Sequence, residues 1–304
     1  MNQDAIIQQL AAGDIKTLSR TISLVENEAP GYEQLLKRLP LSVTKILGVT
    51  GPPGAGKSTL VDALISVLLK QGKKIAVLCV DPSSPFHHGA LLGDRIRMSE
   101  WYNNPAVFIR SLATRGHLGG LNPGMIEITD VIKTAGFDHV IVETVGVGQS
   151  EVEIASLADT TIVVLVPEAG DEIQTMKAGL MEIADMFVVN KADRPGIDIF
   201  VKNLRLMLAT FPNSTHNEIP VFKTIASQKE GIVELVEAIF KHQLITGTSE
   251  KKYWLLAEKT YQLIQKRTMQ NVHKPAIVKA ITEAYNKTGF NLYQFVDDYC
   301  EKKL

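Results

Sequence analysis

Gly51-Pro52-Pro53-Gly54-Ala55-Gly56-Lys57-Ser58 stands directly behind the apolar run Ile46-Leu47-Gly48-Val49-Thr50, and the residues from Ser58 onward (STLVDALISVLLK) place apolar side chains at helical spacing. The order strand, glycine-rich turn, helix gives the string its meaning. Gly51 and Gly56 permit backbone conformations in which successive N–H groups turn inward around a phosphate. The start of the helix adds its partial positive charge to the same anion. Lys57 can reach β- and γ-phosphate oxygens, and the Ser58 hydroxyl is placed to ligate Mg²⁺. The loop formed by Gly51, Pro53, Gly54, Ala55, Gly56, Lys57 and Ser58 is therefore expected to cradle a nucleoside triphosphate; the competing reading is an accidental glycine turn.

The base is addressed by Met186-Phe187-Val188-Val189-Asn190-Lys191-Ala192-Asp193, which puts Asn-Lys-x-Asp at the end of another apolar run. A carboxylate here can accept hydrogen bonds from N1–H and the 2-amino group of guanine together. Adenine lacks that amino donor and carries an acceptor at N1, and a site built to hydrogen-bond a group rejects analogues without it. Lys191 can lay its methylene stem over the base, and Asn190 can bond the other ring edge or brace the loop. A polar helix-start turn is the plainer reading of the same residues. The position of the motif, behind a strand and downstream of a phosphate loop, favours guanine.

Two further apolar runs end in acids: Lys74-Ile75-Ala76-Val77-Leu78-Cys79-Val80 before Asp81, and His139-Val140-Ile141-Val142 before Glu143, which opens Glu143-Thr144-Val145-Gly146. Parallel-sheet enzymes bind ligands at the carboxyl ends of their strands. Asp81 and Glu143 are thus expected to converge near the metal that Ser58 would hold, and one or two carboxylates beside phosphate oxygens suit Mg²⁺. Many GTPases end the second of these strands Asp-x-x-Gly, where the glycine N–H meets the γ-phosphate; Glu143 takes the acid's place and Gly146 the glycine's. Each acid alone can be read as a helix N-cap.

The chain resembles the MeaB/ArgK family of P-loop GTPases, chaperones associated with adenosylcobalamin-dependent methylmalonyl-CoA mutase. The segments that carry the resemblance are GPPGAGKST (51–59), DPSSP (81–85), GALLGDRIRM (89–98), TRGHLGG (114–120), ETVGVGQSE (143–151), GDEIQTMKAGLMEIAD (170–185) and NKAD (190–193). The resemblance implies a GTPase that gates cofactor loading or protection of an acyl-CoA mutase, with Mg²⁺ as cofactor, GTP and GDP as ligands, and a homodimer. It implies Lys57 and Ser58 at phosphates and metal, Thr59 at the α-phosphate, and Asp81, Asp94 and Glu143 around the Mg²⁺ and the attacking water. Asp193 falls on the guanine reader, and residues 170–185 on a segment that relays nucleotide state to the mutase. Two departures stand out. Phe86-His87-His88 replace small residues before Gly89, and the serine-alanine signature of the guanine edge becomes Thr224-Ile225-Ala226-Ser227, where the Ala226 N–H is the candidate donor.

Hydrolysis needs an in-line water and positive charge on the leaving γ-phosphate. No glutamine obviously positions the water; Gln149 lies three places beyond Gly146. Arg95, Arg97, Arg110 and Arg115 are candidates for a charge-stabilising finger, against the plainer reading of surface or ion-paired arginines. Slow turnover that a partner accelerates is the expectation.

With 304 residues and 45% hydrophobic content, the chain can bury one substantial core with helical appendages. Its 32 basic and 33 acidic residues give no footprint for nucleic acid. No apolar run suffices to span a membrane, and the start Met1-Asn2-Gln3-Asp4 lacks the marks of an export or transit signal. Two cysteines, Cys79 and Cys300, suit a reducing compartment, so the cytoplasm is the expected location. Residues 1–43 read as an N-terminal helical extension broken at Gly13-Asp14. Residues 44–243 read as an α/β P-loop GTPase domain, a mainly parallel sheet with helices on both faces. Its candidate strands are 45–50, 74–80, 106–110, 138–143, 160–166, 186–190 and 220–224. Residues 244–304 read as a helical arm, for dimerisation or as a cap on the sheet. A metal-insertion GTPase is a second reading, resting on His87 and His88 but lacking a cysteine–histidine cluster. A small-molecule kinase or transport ATPase is a third.

Overall fold

A computed structural model describes residues 2–81, 98–114, 121–144, 150–167, 178–209, 219–245, 250–269, 272–285 and 290–303. The chain divides into two compact units, Met1–Ser249 and Glu250–Leu304.

The first unit is built on a seven-stranded sheet in the order β3-β2-β4-β1-β5-β6-β7. Its strands are β1 (Lys45–Thr50), β2 (Ile75–Asp81), β3 (Val107–Ala113), β4 (His139–Glu143), β5 (Thr160–Leu165), β6 (Met186–Val189) and β7 (Val221–Lys223), and every pairing is parallel. All six residues of β5 and all four of β6 are buried. This is why these strands read as unbroken apolar runs: helices cover both faces, so neither side needs polar residues. All seven expected strands are present. β3 runs three residues beyond its expected end at 110, because Arg110 and Ser111 break the apolar pattern without breaking the ladder to Leu78 and Cys79.

Helix α4 (Lys57–Lys70) buries ten of its 14 residues against the sheet, with Leu60, Val61, Leu64 and Ile65 fully inaccessible. At about 1.5–3 kcal/mol per buried aliphatic side chain, this face fixes the helix that carries the phosphate-loop lysine and serine. The N-terminal helices α1 (Gln3–Ala11), α2 (Ile15–Glu26) and α3 (Tyr32–Leu36) bury Leu10, Leu18, Ile22 and Leu35. Asp14 caps α2 by accepting the Thr17 N–H, so the helix break falls at Gly13-Asp14 as the sequence suggests. α2 and α3 pack on α5 (Met125–Lys133), and Arg110 of β3 donates to Ser23 Oγ (3.0 Å) and pairs with Glu26 (3.2 Å) of α2.

The remaining helices of this unit are α6 (Ser150–Leu157), α7 (Ala178–Ile183), α8 (Ile197–Ala209) and α9 (Ile232–Ile245). The second unit holds α10 (Glu250–Thr268), α11 (Lys274–Tyr285) and α12 (Leu292–Lys303). α11 buries no residue, and Tyr253, Trp254, Tyr261, Ile264, Val278 and Tyr293 are exposed by 58% or more. Among the described residues no helix is long and apolar enough to cross a membrane.

Candidate nucleotide site

The site lies at the carboxyl ends of β1, β4 and β6. β1 delivers Thr50 to a turn that α4 closes. Gly51 has φ +136°, and a Cβ there would stand 2.1 Å from the Val164 carbonyl oxygen of β5. Gly56 has φ +87°, and its Cβ would meet Asn190 Nδ2 at 2.4 Å. Both glycines are thus demanded twice, by backbone conformation and by the closeness of a neighbouring strand or loop. Lys57, 7% exposed, folds its ammonium back onto the Gly51 and Pro52 carbonyl oxygens at 2.9 and 3.0 Å. The 14-residue α4 starts here with no side-chain cap. Its leading N–H groups and the Lys57 charge together suit a polyphosphate.

One residue later, Ser58 Oγ donates to Glu143 Oε1 at 2.6 Å, and both residues are buried. Glu143 ends β4, in register with Val49 of β1 and Cys79 of β2. The paired hydroxyls of Thr50 and Thr144 (2.8 Å) and the Thr144 N–H to Val49 O bond (3.0 Å) tie the two strand ends together. A hydroxyl and a carboxylate in contact at the mouth of a phosphate loop are hard oxygen donors, the set that fits Mg²⁺. Asp81 closes β2, two residues beyond the register partner of Glu143. Its side chain, Thr59's expected phosphate, and the expected sites Asp94 and Gly146 are not fixed by this geometry; Asp94 and Gly146 lie outside the described residues.

The base-reading motif is bolted to the phosphate loop. Asn190, 2% exposed, donates from Nδ2 to the Ala55 carbonyl (3.0 Å), and its Oδ1 accepts the Thr224 hydroxyl (3.2 Å) and the Ala226 N–H (3.1 Å). Lys191 takes φ +57° and donates from Nζ to the Gly54 carbonyl (2.8 Å). The Ala192 N–H closes the loop on Thr224 O (3.0 Å). Asp193 follows on an exposed turn, its carboxylate presented to solvent beside this scaffold.

Several expectations change here. Of the two roles open to Asn190, the geometry is that of a brace. Ala226, expected to offer its N–H to the base edge, gives it to Asn190 instead. Arg110, a candidate finger, is held against α2 by Ser23 and Glu26 and is an ion-paired arginine. Arg95, Arg97, Arg115, Gln149, His87, His88 and the first half of the segment 170–185, residues 170–177, lie outside the described residues. The sequence reading passed over Thr50, Thr144 and the hydroxyl of Thr224. Each is a threonine directly at or after the end of a strand that carries a motif, and that position was the available signal.

The family described as methylmalonyl-CoA mutase-associated GTPase MeaB matches residues 18–280. The chain belongs to the MeaB family. Its members' GTP hydrolysis and guanine-nucleotide binding are accordingly its own activity. A Pyrococcus horikoshii protein named as a GTPase is 46% identical over 253 residues, covering 82% of this chain and 80% of its own length. A fused isobutyryl-CoA mutase of Geobacillus kaustophilus is 37% identical over 243 residues, which are 73% of this chain but 22% of that protein. A solved structure of a LAO/AO transport system kinase superposes with a TM-score of 0.70 at 28% identity, covering 98% of this chain and 96% of that one. The MeaB match spans the sheet and both halves of the nucleotide site.

Proposed function

We propose that this GTPase is the nucleotide-driven chaperone of an adenosylcobalamin-dependent acyl-CoA mutase, methylmalonyl-CoA mutase or a close relative. In this reading GTP binding and hydrolysis gate cofactor loading and protect the mutase. The observation that carries it is the similarity to a fused isobutyryl-CoA mutase, beside membership of a family described as mutase-associated. A segment similar to this chain inside a protein named as a mutase supports the reading in which a separate chain of the family meets its mutase by binding.

Within the site, Lys57 neutralises β- and γ-phosphate charge while the α4 N-terminus receives the same oxygens. Ser58 and Glu143, with Asp81 and Asp94, would hold Mg²⁺, which supplies charge neutralisation on the phosphates when bound. Asp193 reads guanine. Asn190 and Lys191 transmit its position to the phosphate loop through the Ala55 and Gly54 carbonyls. Intrinsic turnover is slow and rises on the mutase, a reading supported by the engagement of Arg110, the one candidate finger among the described residues, with Glu26.

The apolar side chains left exposed on 250–304 support a homodimer built by the C-terminal arm, taken as residues 244–304, with 1–43 as an N-terminal extension and 44–243 as the GTPase domain. Neither Cys79 nor Cys300 forms a disulfide, in keeping with a cytoplasmic protein.

The test is cofactor transfer. Apo-mutase, adenosylcobalamin and the GTPase are mixed with GTP or with a non-hydrolysable analogue, and holo-mutase is followed by its absorbance. Loading that depends on hydrolysis is expected; loading indifferent to protein and nucleotide would contradict the proposal. The name of the structural relative supports a second reading, a kinase of a transport system. Labelled γ-phosphate appearing on an acceptor other than water would favour it.

A further inference from the structure

Away from the phosphate loop, at the end of the sheet where β4 begins, a small, partly open cavity lies between α4, α9 and β4. Leu64 and Leu68 of α4, His139 of β4, and Phe240 and Gln243 of α9 line it, and its volume is about 10 Å³. Gln243 is 8% exposed, and its Nε2 is buried with no hydrogen-bond partner. A buried amide donor left unsatisfied costs about 1–3 kcal/mol, so a native chain that retains one calls for an explanation. His139 stacks on Phe240, ring centroids 5.1 Å apart. Burial holds its imidazole below the ordinary pKa, so it is neutral near pH 7 and keeps a lone pair on one ring nitrogen.

We propose that this cavity binds one water molecule, which accepts the Gln243 Nε2–H and donates to the imidazole of His139. Size and chemistry agree. A volume near 10–15 Å³ is about the least that admits a water and excludes anything larger, and two polar partners meet the minimum a buried water needs. The remaining lining is apolar, so the water's position is set by those two groups alone. It joins α9 to the first residue of β4 and completes the packing of α9 on α4, the helix that carries Lys57 and Ser58.

Two measurements on the whole chain test this. In a high-resolution crystal structure, a density peak within hydrogen-bond distance of both Gln243 Nε2 and a His139 ring nitrogen is expected. An empty cavity, or a Gln243 amide turned onto a protein acceptor, would overturn the proposal. Gln243→Met preserves length and removes the donor. With a bound water the variant loses a satisfied hydrogen bond, and Tm falls by about 2–4 °C. With a dry cavity it removes an unsatisfied donor, so an unchanged or raised Tm would sink the idea.

Discussion

Two regions of this molecule turn unusual side chains to solvent, and they do so over opposite foundations. At the nucleotide end, Asp193 is exposed, but directly behind it Asn190 is buried and makes hydrogen bonds to Ala55, Thr224 and Ala226. In the helices of 250–304, Trp254 is 79% exposed and Tyr293 82%, and α11 has no buried residue beneath its apolar positions. A polar group held out on a stiff, internally satisfied frame is shaped for a small ligand: its geometry is fixed before the ligand arrives. Apolar groups held out on helices whose described residues include none that is buried suit the proposed dimer surface, which would cover them.

The largest effect that sharpens this contrast is expected at Gly51. A Gly51→Ala side chain would collide with the Val164 carbonyl, so GTP and ATP binding should both be lost by about 1,000-fold or more, equivalent to about 4 kcal/mol. Titration with a fluorescent nucleotide measures it. Asp193→Ala comes next. GTP affinity should fall about 100-fold, about 2.7 kcal/mol, while stability stays within about 0.5 kcal/mol of wild type because the residue is exposed. A fall in Tm without loss of GTP preference would make Asp193 a structural residue and break the comparison.

Asn190→Ala should behave in the reverse way. It strands the Ala55 carbonyl, the Thr224 hydroxyl and the Ala226 N–H, and about 2 kcal/mol of stability should be lost in a urea titration. GTP and ATP affinities should fall together, since a brace serves the phosphate loop whichever base is bound. For the second region, Trp254→Ala with Tyr261→Ala should leave the melting of the first unit unchanged and weaken self-association about tenfold or more in sedimentation velocity. A large fall in stability with unchanged association would show that these rings pack within their own chain.

The smallest effect is on pH. Burial holds His139 below its ordinary pKa, with Asp138 opposing and Lys73 adding to the shift. The unfolded chain therefore binds the proton more readily. This contribution to stability is complete above about pH 6.5 and is lost as pH falls through the lowered folded value. Tm should drop more steeply between about pH 7 and pH 5 in the wild type than in His139→Leu. Equal slopes would remove His139 from the account.

Much of this was legible in the chain. The seven strands could be read because a parallel sheet covered on both faces leaves continuous apolar runs, and the phosphate loop because its glycines are forced by contacts with Val164 and Asn190. What could not be read was partnership across the fold. By sequence Arg110 was one of four finger candidates, and only the packing of α2 reveals Glu26 and Ser23 beside it. The Ala226 amide matched a base-edge donor by position, but a side chain 36 residues away had a prior claim on it. Helical spacing in 1–43 and 250–304 looked alike; it announces that a face will be covered and is silent on what covers it.

The protein we propose is a guanine-reading GTPase that answers to a mutase. The most direct test is steady-state hydrolysis of GTP and ATP by the purified chain, with and without a cobalamin-dependent acyl-CoA mutase from the same source. GTP-selective turnover that rises on adding the mutase is the predicted result. Equal turnover of both nucleotides, or GTP turnover indifferent to the mutase, would contradict it.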